Sequence, residues 1–231
     1  MCKIAHCNKP PGGGSSSRHW TLCNTHRHRE RRHGDVLQKG ILGADLKPYL
    51  RNLDKRQTAS PNAKLWEMLA ARWRTLIGRC NGILADRAAG TPTDRWQGLA
   101  AAELVRVAEQ TTAQTAWRTA VAMFLLREYE PRRFVSDRAF LVQLGRRLRH
   151  LAEANRGSFW DPVTGRTKFA YVDPNPRVAV LIGQWLAETF GVAGVYFAEQ
   201  DREEAEQREA ERRAFHGALR EVTATGETTS P

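Results

Sequence analysis

SPNAKLWEMLAARWRTLIGRCNGIL, residues 60–84, is the stretch from which the fold is read. Leu65, Leu69, Trp73, Leu76, Cys80 and Leu84 recur at steps of four, four, three, four and four, the spacing that lines one face of an α-helix. Ser60 reads as the cap and Pro61 as the first helical residue, where a missing N–H costs nothing. Gly90-Thr91-Pro92 breaks the chain afterwards. Cys80 falls inside the apolar stripe and reads as a core residue rather than a nucleophile.

Similar patterns continue on both sides. Upstream, Asp45 to Gln57 predicts a helix with Leu46, Tyr49, Leu50 and Leu53 inward and Pro48 in its first turn. Downstream, helices are expected over 98–110 and 113–128, the second with Trp117, Val121, Phe124 and Leu125 on one side. Ser136 opens a helix to about Asn155 whose stripe is Phe140, Leu141, Leu144, Leu148 and Leu151. Residues 158–172 change character: extended runs flank Asp161-Pro162-Val163-Thr164-Gly165-Arg166, which predicts a β-hairpin. A helix with Val178, Leu181, Ile182, Trp185, Leu186, Thr189 and Phe190 inward follows Asp173-Pro174-Asn175-Pro176. Gly191 and Gly194 are expected to separate it from a charged helix over 199–222, and disorder is expected over 223–231. The fold class is therefore mainly α, with a small metal module over 1–34 and a multi-helix domain over 35–198 carrying one short hairpin near 158–172.

The N-terminal segment has no such core pattern. Cys2-x4-Cys7, a gap of fifteen and Cys23-x2-His26 form two close pairs of soft donors. A structural zinc site needs four such donors in a tetrahedral array. Three clustered Cys with a spaced His in a chain lacking an apolar leader point to metal rather than disulfides. Cys2, Cys7, Cys23 and His26 are thus the candidate ligands of one structural Zn2+; His19, His28 and His33 are alternatives for the fourth position. Trp20 and Leu22 would supply a small local core. Pro10-Pro11-Gly12-Gly13-Gly14-Ser15-Ser16-Ser17 reads as a loop between the pairs, and a helix is expected from Thr21 to Gly34.

Cys2-x4-Cys7-Asn8-Lys9-Pro10 followed by Leu22-Cys23-x2-His26-x2-Arg29-x2-Arg32-His33-Gly34-Asp35 resembles the N-terminal zinc knuckle of many phage and bacterial HNH endonucleases and related DNA-binding proteins. The resemblance covers about residues 2–35. It implies the same four ligands and a basic helix for nucleic acid. The loop here is longer and no HNH catalytic segment follows, so the nuclease activity does not carry over.

Charge points the same way. The chain carries a net +11, and residues 1–60 hold 12 Lys and Arg against Glu30, Asp35, Asp45 and Asp54. Arg27, Arg29, Arg31 and Arg32 stand on the helix after Cys23, suited to phosphate by their planar forks of donors. Arg138, Arg146, Arg149 and Arg156 are expected on a second exposed stripe, near Arg132, Arg133, Arg166 and Lys168 in sequence. Trp160, Phe169 and Tyr171 read as aromatics packing the hairpin onto the helices, with base stacking as the alternative if exposed.

Catalysis has no recognised motif. Glu128, Glu130, Asp137 and Asp161 lack two-metal spacing, and Tyr171 or Tyr196 with Arg147, Arg149 and His150 lack a recombinase-like one. The expectation is a cytoplasmic, zinc-stabilised DNA-binding protein of bacterial or phage origin, regulatory or accessory to a mobile element, and not membrane-bound. A nucleic-acid-processing enzyme and a protein adaptor using the charged C-terminal helix are the alternatives.

Overall fold

The computed structural model describes residues 1–12, 21–153, 156–171 and 173–226. Among them are seven α-helices: α1 (Asn24–His33), α2 (Gly43–Ala59), α3 (Lys64–Ala88), α4 (Arg95–Gln110), α5 (Ala113–Tyr129), α6 (Asp137–Arg149) and α7 (Pro176–Gly226). Strands β1 (Arg156–Asp161) and β2 (Arg166–Tyr171) form one antiparallel hairpin between α6 and α7.

The stripe of α3 is buried as the spacing predicts: Leu69, Trp73, Leu76 and Cys80 face the core. Its start differs. Ser60 ends α2, its N–H donating to the Arg56 carbonyl, and its own carbonyl accepts from Trp66 Nε1 at 2.7 Å. Ser60 and Pro61 therefore close one helix rather than open the next. Helix α2 begins at Gly43, two residues early, because the Asp45 carboxylate takes up the Leu42 N–H at 2.7 Å. Pro48 consequently lies beyond the first turn. Asp94, Thr112 and Ser136 cap α4, α5 and α6 through side-chain oxygens.

Helix α5 is the centre of the bundle. It is buried along most of its length, Ala116 to Leu126, and touches α2, α3, α6 and α7. A helix surrounded on all sides gains from apolar residues all round, which is why its pattern extends beyond a single face. Trp66 of α3 stacks between Trp117 of α5 and Phe197 of α7, each 5.7 Å away.

Gly191 and Gly194 do not break α7, which runs 51 residues, about 75 Å at 1.5 Å per residue. A side chain at Gly194 would meet the Phe124 Cβ at 2.2 Å, and one at Gly183 would meet the Leu141 carbonyl oxygen at 2.2 Å. These glycines let α5 and α6 approach α7 at backbone distance, a packing gain that outweighs their low helix propensity. By length and composition α7 could cross a membrane, with a window of mean hydropathy 1.5. Half of that window (50%) is buried against the bundle.

Candidate metal centre and the basic helix it carries

Residues 2–9 turn back on themselves. Cys7 donates its N–H to the Ile4 carbonyl, and His6 adopts a left-handed φ of 62°. Cys2 N–H reaches the Lys9 carbonyl at 3.0 Å, and Lys3 N–H reaches the Thr21 carbonyl at 2.7 Å. This lays the first Cys pair against the segment that carries the second. Cys23 is the N-cap residue of α1, and its N–H donates to Cys2 Sγ at 3.3 Å. His26 sits one turn in, directed back toward the same point.

The donor atoms of Cys2, Cys7, Cys23 and His26 all lie within 4.8 Å of one another and could hold a metal ion. His26 Nδ1 is 3.3 Å from Cys2 Sγ and 3.4 Å from Cys23 Sγ, and Cys7 Sγ is 3.8 Å from Cys23 Sγ. No sulfur pair is bonded, for all four cysteines are free. The thiols are electrostatically unequal. Burial opposes ionisation of Cys2, but the Cys23 and Ile4 backbone groups and the His26 and Cys23 side chains outweigh it, lowering it to about 6. A bond from the Lys9 backbone favours the Cys7 thiolate, yet burial and the neighbouring Cys23 and Cys2 sulfurs raise it overall. Three thiolates crowded together repel one another unless a cation lies among them.

Helix α1 starts at Asn24, three residues later than Thr21, because Cys23 is held extended by its bond to Cys2. Its far end is docked. Gly34 closes it at φ 88°, and a Cβ there would meet Ala139 Cα and the Arg138 carbonyl at 3.1 Å, so the chain end lies directly on α6. Gln143 of α6, 1% exposed, ties the junction together. Its Nε2 can only donate, and it donates to His33 Nδ1 at 3.0 Å; its Oε1 accepts the Ile41 N–H at 3.0 Å. Gln38, fully buried, links the connector to Arg133 and Val135.

The basic residues of α1 divide by role. Arg27 donates to the Gly12 carbonyl and the Asn24 side chain, bracing the loop. Arg32 pairs with Asp173 at 3.2 Å. Arg31 and His28 are exposed and Arg29 is half-buried. His28, Arg31, Arg32 and Asp173 line one cleft of about 400 Å³. Of the alternative ligands, His33 is committed to Gln143 and His28 to that cleft; His19 and Trp20 lie outside the described residues, while Leu22 is half-buried.

The second arginine stripe is corrected. Arg146 and Arg149 are buried, 6% and 3% exposed, because neighbouring elements meet them: the end of α1 and Asp173 at Arg146, and α4 at Arg149. Arg146 Nη1 donates to Asp173 Oδ1 at 2.5 Å and to the Arg32 carbonyl at 2.8 Å; Arg149 Nε donates to Glu103 Oε2 at 3.0 Å. These two guanidinium groups are structural ties rather than surface contacts. Arg138 is exposed, lining a groove with Trp96, Pro176 and Arg177, and the side chain of Arg156 lies outside the described residues.

Asp173 and Gln143 escaped the sequence reading. Neither belongs to a spacing motif; their only signal is a polar residue that turns out to face a neighbouring element. Burial pushes the Cys80 thiol up to about 11, in keeping with a core residue.

The hairpin also differs from expectation. Phe159 and Trp160 are 52% and 63% exposed, and the two strands pack chiefly on each other rather than on a helix. The side chains of Phe169 and Tyr171 lie outside the described residues. No protein-family model, curated protein or solved structure matches the chain.

Two imidazoles are kept neutral here. Burial, then Arg146 and Arg32, lowers His33 to about 4. Burial, then Arg147, lowers His150 to about 3. An unfolded imidazole titrates near ~6.5. Below that pH the unfolded chain binds protons that the folded chain refuses, so stability is lost as pH falls from about 6.5 through 4 toward 3. The urea midpoint should decline across this window, and His150→Gln should decline less steeply; parallel profiles would disprove the assignment.

Proposed function

We propose that this chain is a zinc-stabilised DNA-binding protein of bacterial or phage origin, regulatory or accessory to a mobile element, in which the metal is structural. The observation that carries the reading is the attachment of α1. It begins at two of the four donors, ends docked on α6, and directs Arg31 outward with Arg29 beside it.

Zinc fits the donor set. Bonds of about 2.3 Å to sulfur and about 2.0 Å to nitrogen in a tetrahedron imply S···S edges near ~3.8 Å and S···N edges near ~3.5 Å. The Cys7–Cys23 separation of 3.8 Å and the His26 separations of 3.3 and 3.4 Å match these edges. Four protein donors leave no open position for a reactive water, so bound zinc would hold the fold of the module and do no hydrolysis. The likeness of residues 2–35 to HNH-associated zinc knuckles supports the same ligands. The setting is a cytoplasmic one, where thiols stay reduced.

Arg29, Arg31 and the free donors of Arg32 would meet phosphates, with Arg138 at the adjoining edge of α6. Binding by phosphate neutralisation releases counterions and weakens steeply with salt. The zinc-loaded protein should retard duplex DNA at low salt without cleaving it. Arg29→Ala with Arg31→Ala should flatten the log–log salt slope by about 2. A wild-type protein that retards no DNA at low salt would end this reading.

A protein partner for the second half of α7 is the second reading. Nearly every residue from Arg202 to Gly217 is exposed on a continuous helix, with Glu204–Arg208 and Glu209–Arg213 pairs at helical spacing.

A further inference from the structure

We propose that the β1–β2 hairpin is a pin that sits between two DNA strands where a duplex opens into single strands, with one aromatic ring stacking on a base on each side. The inference rests on the DNA-binding reading above and adds the class of DNA to it.

The register supplies the geometry. Phe159 is paired with Lys168 and Asp161 with Arg166, whereas Trp160 is paired with Thr167. Directly opposed residues of an antiparallel ladder share a face, and successive residues alternate faces. Phe159, Lys168 and Arg166 therefore stand on one face of the ribbon and Trp160 with Thr167 on the other. Both faces carry an exposed ring, 52% and 63%. A hairpin packing on a core buries one face; this one presents apolar surface on two.

A lone two-stranded hairpin is marginal in water, and large exposed rings on it signal a binding role. The turn, however, is well organised. Asp161 accepts the Val163 N–H at 3.0 Å and the Thr164 hydroxyl at 2.8 Å, Lys168 pairs with it, and Gly165 takes φ 60°. Six residues per strand reach about 20 Å from base to turn.

Placement supplies the ligand. Asp173, two residues beyond β2, binds both Arg32 of α1 and Arg146 of α6. Asp173 thereby places the chain two residues beyond the ribbon in the cleft that Arg31 and His28 line. The cationic helix suits duplex phosphates, and the adjoining ribbon offers rings to bases. Duplex bases are already stacked on their neighbours; bases freed at an opening are not. A ring on each face matches a strand on each side, and Arg166 adds charge complementary to the backbone of one of them.

The test uses the full-length zinc-loaded protein and fluorescence anisotropy with three labelled DNAs: a blunt duplex, the same duplex with two non-complementary arms, and one arm alone. The forked DNA should bind at least about tenfold more tightly than the blunt duplex, from the usual strength of base–aromatic stacking. Phe159→Ala and Trp160→Ala should each remove part of that preference and together abolish it, leaving blunt-duplex affinity unchanged. Trp160→Phe should retain most of it. Equal wild-type affinity for forked and blunt DNA, or a preference that survives the double substitution, overturns the pin while leaving the DNA-binding reading intact. No binding to any of the three DNAs overturns both. Binding to anionic vesicles that the double substitution abolishes, with no fork preference, would reassign the hairpin to a membrane surface and overturn the pin.

Discussion

Chelation of the zinc-loaded protein should release about one zinc per chain and expose the bonds after Arg27, Arg29 and Arg31 to trypsin, while α2 to α7 stay folded. The reason is the composition of the module's interior. Helix α1 buries none of its own residues, and the buried hydrophobic side chains described in 1–34 are Cys2 and Cys23, two of the donors themselves. Without a cation the module keeps a few backbone bonds and a cluster of sulfur donors whose thiolate forms repel one another. Structural zinc supplies an apparent ~10–16 kcal/mol in small zinc-binding peptides at neutral pH, enough to fold a segment with no core. The helical bundle has its own core around α5 and should keep most of its far-UV circular dichroism. Cys23→Ser should reproduce the chelated digestion pattern, and DNA retardation should disappear in both cases. An identical tryptic pattern with and without chelator would show that the module folds without metal.

The second large effect is expected at Asp173→Ala. The carboxylate accepts from Arg146, which is nearly inaccessible, and pairs with Arg32. Removing one partner of a buried pair leaves the other charge desolvated and unpaired, at a cost of about 3–5 kcal/mol. Asp173 keeps 27% side-chain exposure, so the loss should fall at the lower end, about 3 kcal/mol. For a chain of this size that is a Tm decrease on the order of 5–10 °C. Asp173→Asn retains an acceptor and should lose less. A change below about 2 °C would mean that water replaces the carboxylate without penalty. The alanine substitution also frees the C-terminal end of α1 from the base of the hairpin. DNA affinity should therefore fall even at temperatures where the protein remains folded, a signature distinct from simple destabilisation.

Much of the helical architecture is legible in the order of residues. Leu65, Leu69, Trp73, Leu76 and Cys80 lie at helical spacing because a helix with one wet side must concentrate its apolar groups on the other. The same logic finds α2, α4, α5 and α6, and the hairpin is marked by its turn residues. The donor cluster is legible too: metal ligation imposes a short spacing within each Cys or Cys/His pair, and that constraint is local.

What escapes is whatever depends on a second element. Arg146 and Arg149 occupy the side of α6 opposite Leu144 and Leu148, and periodicity assigns that side to water. The end of α1 with Asp173 meets Arg146 and α4 meets Arg149, turning two apparent surface cations into buried ties to Asp173 and Glu103. Gly191 and Gly194 look like helix breakers until Phe124 is found against the second of them. Trp160 reads as packing onto the helices, yet it stands 63% exposed.

The N-terminal donor set and the basic composition of α1 were determined by the sequence alone, because ligand spacing and helical charge are properties of a few consecutive residues. Only the tertiary structure decided which of the arginines meet solvent and where the module sits. A guanidinium is exposed or buried according to what packs over it, and for Arg146 that neighbour lies 114 residues away, at the Arg32 carbonyl.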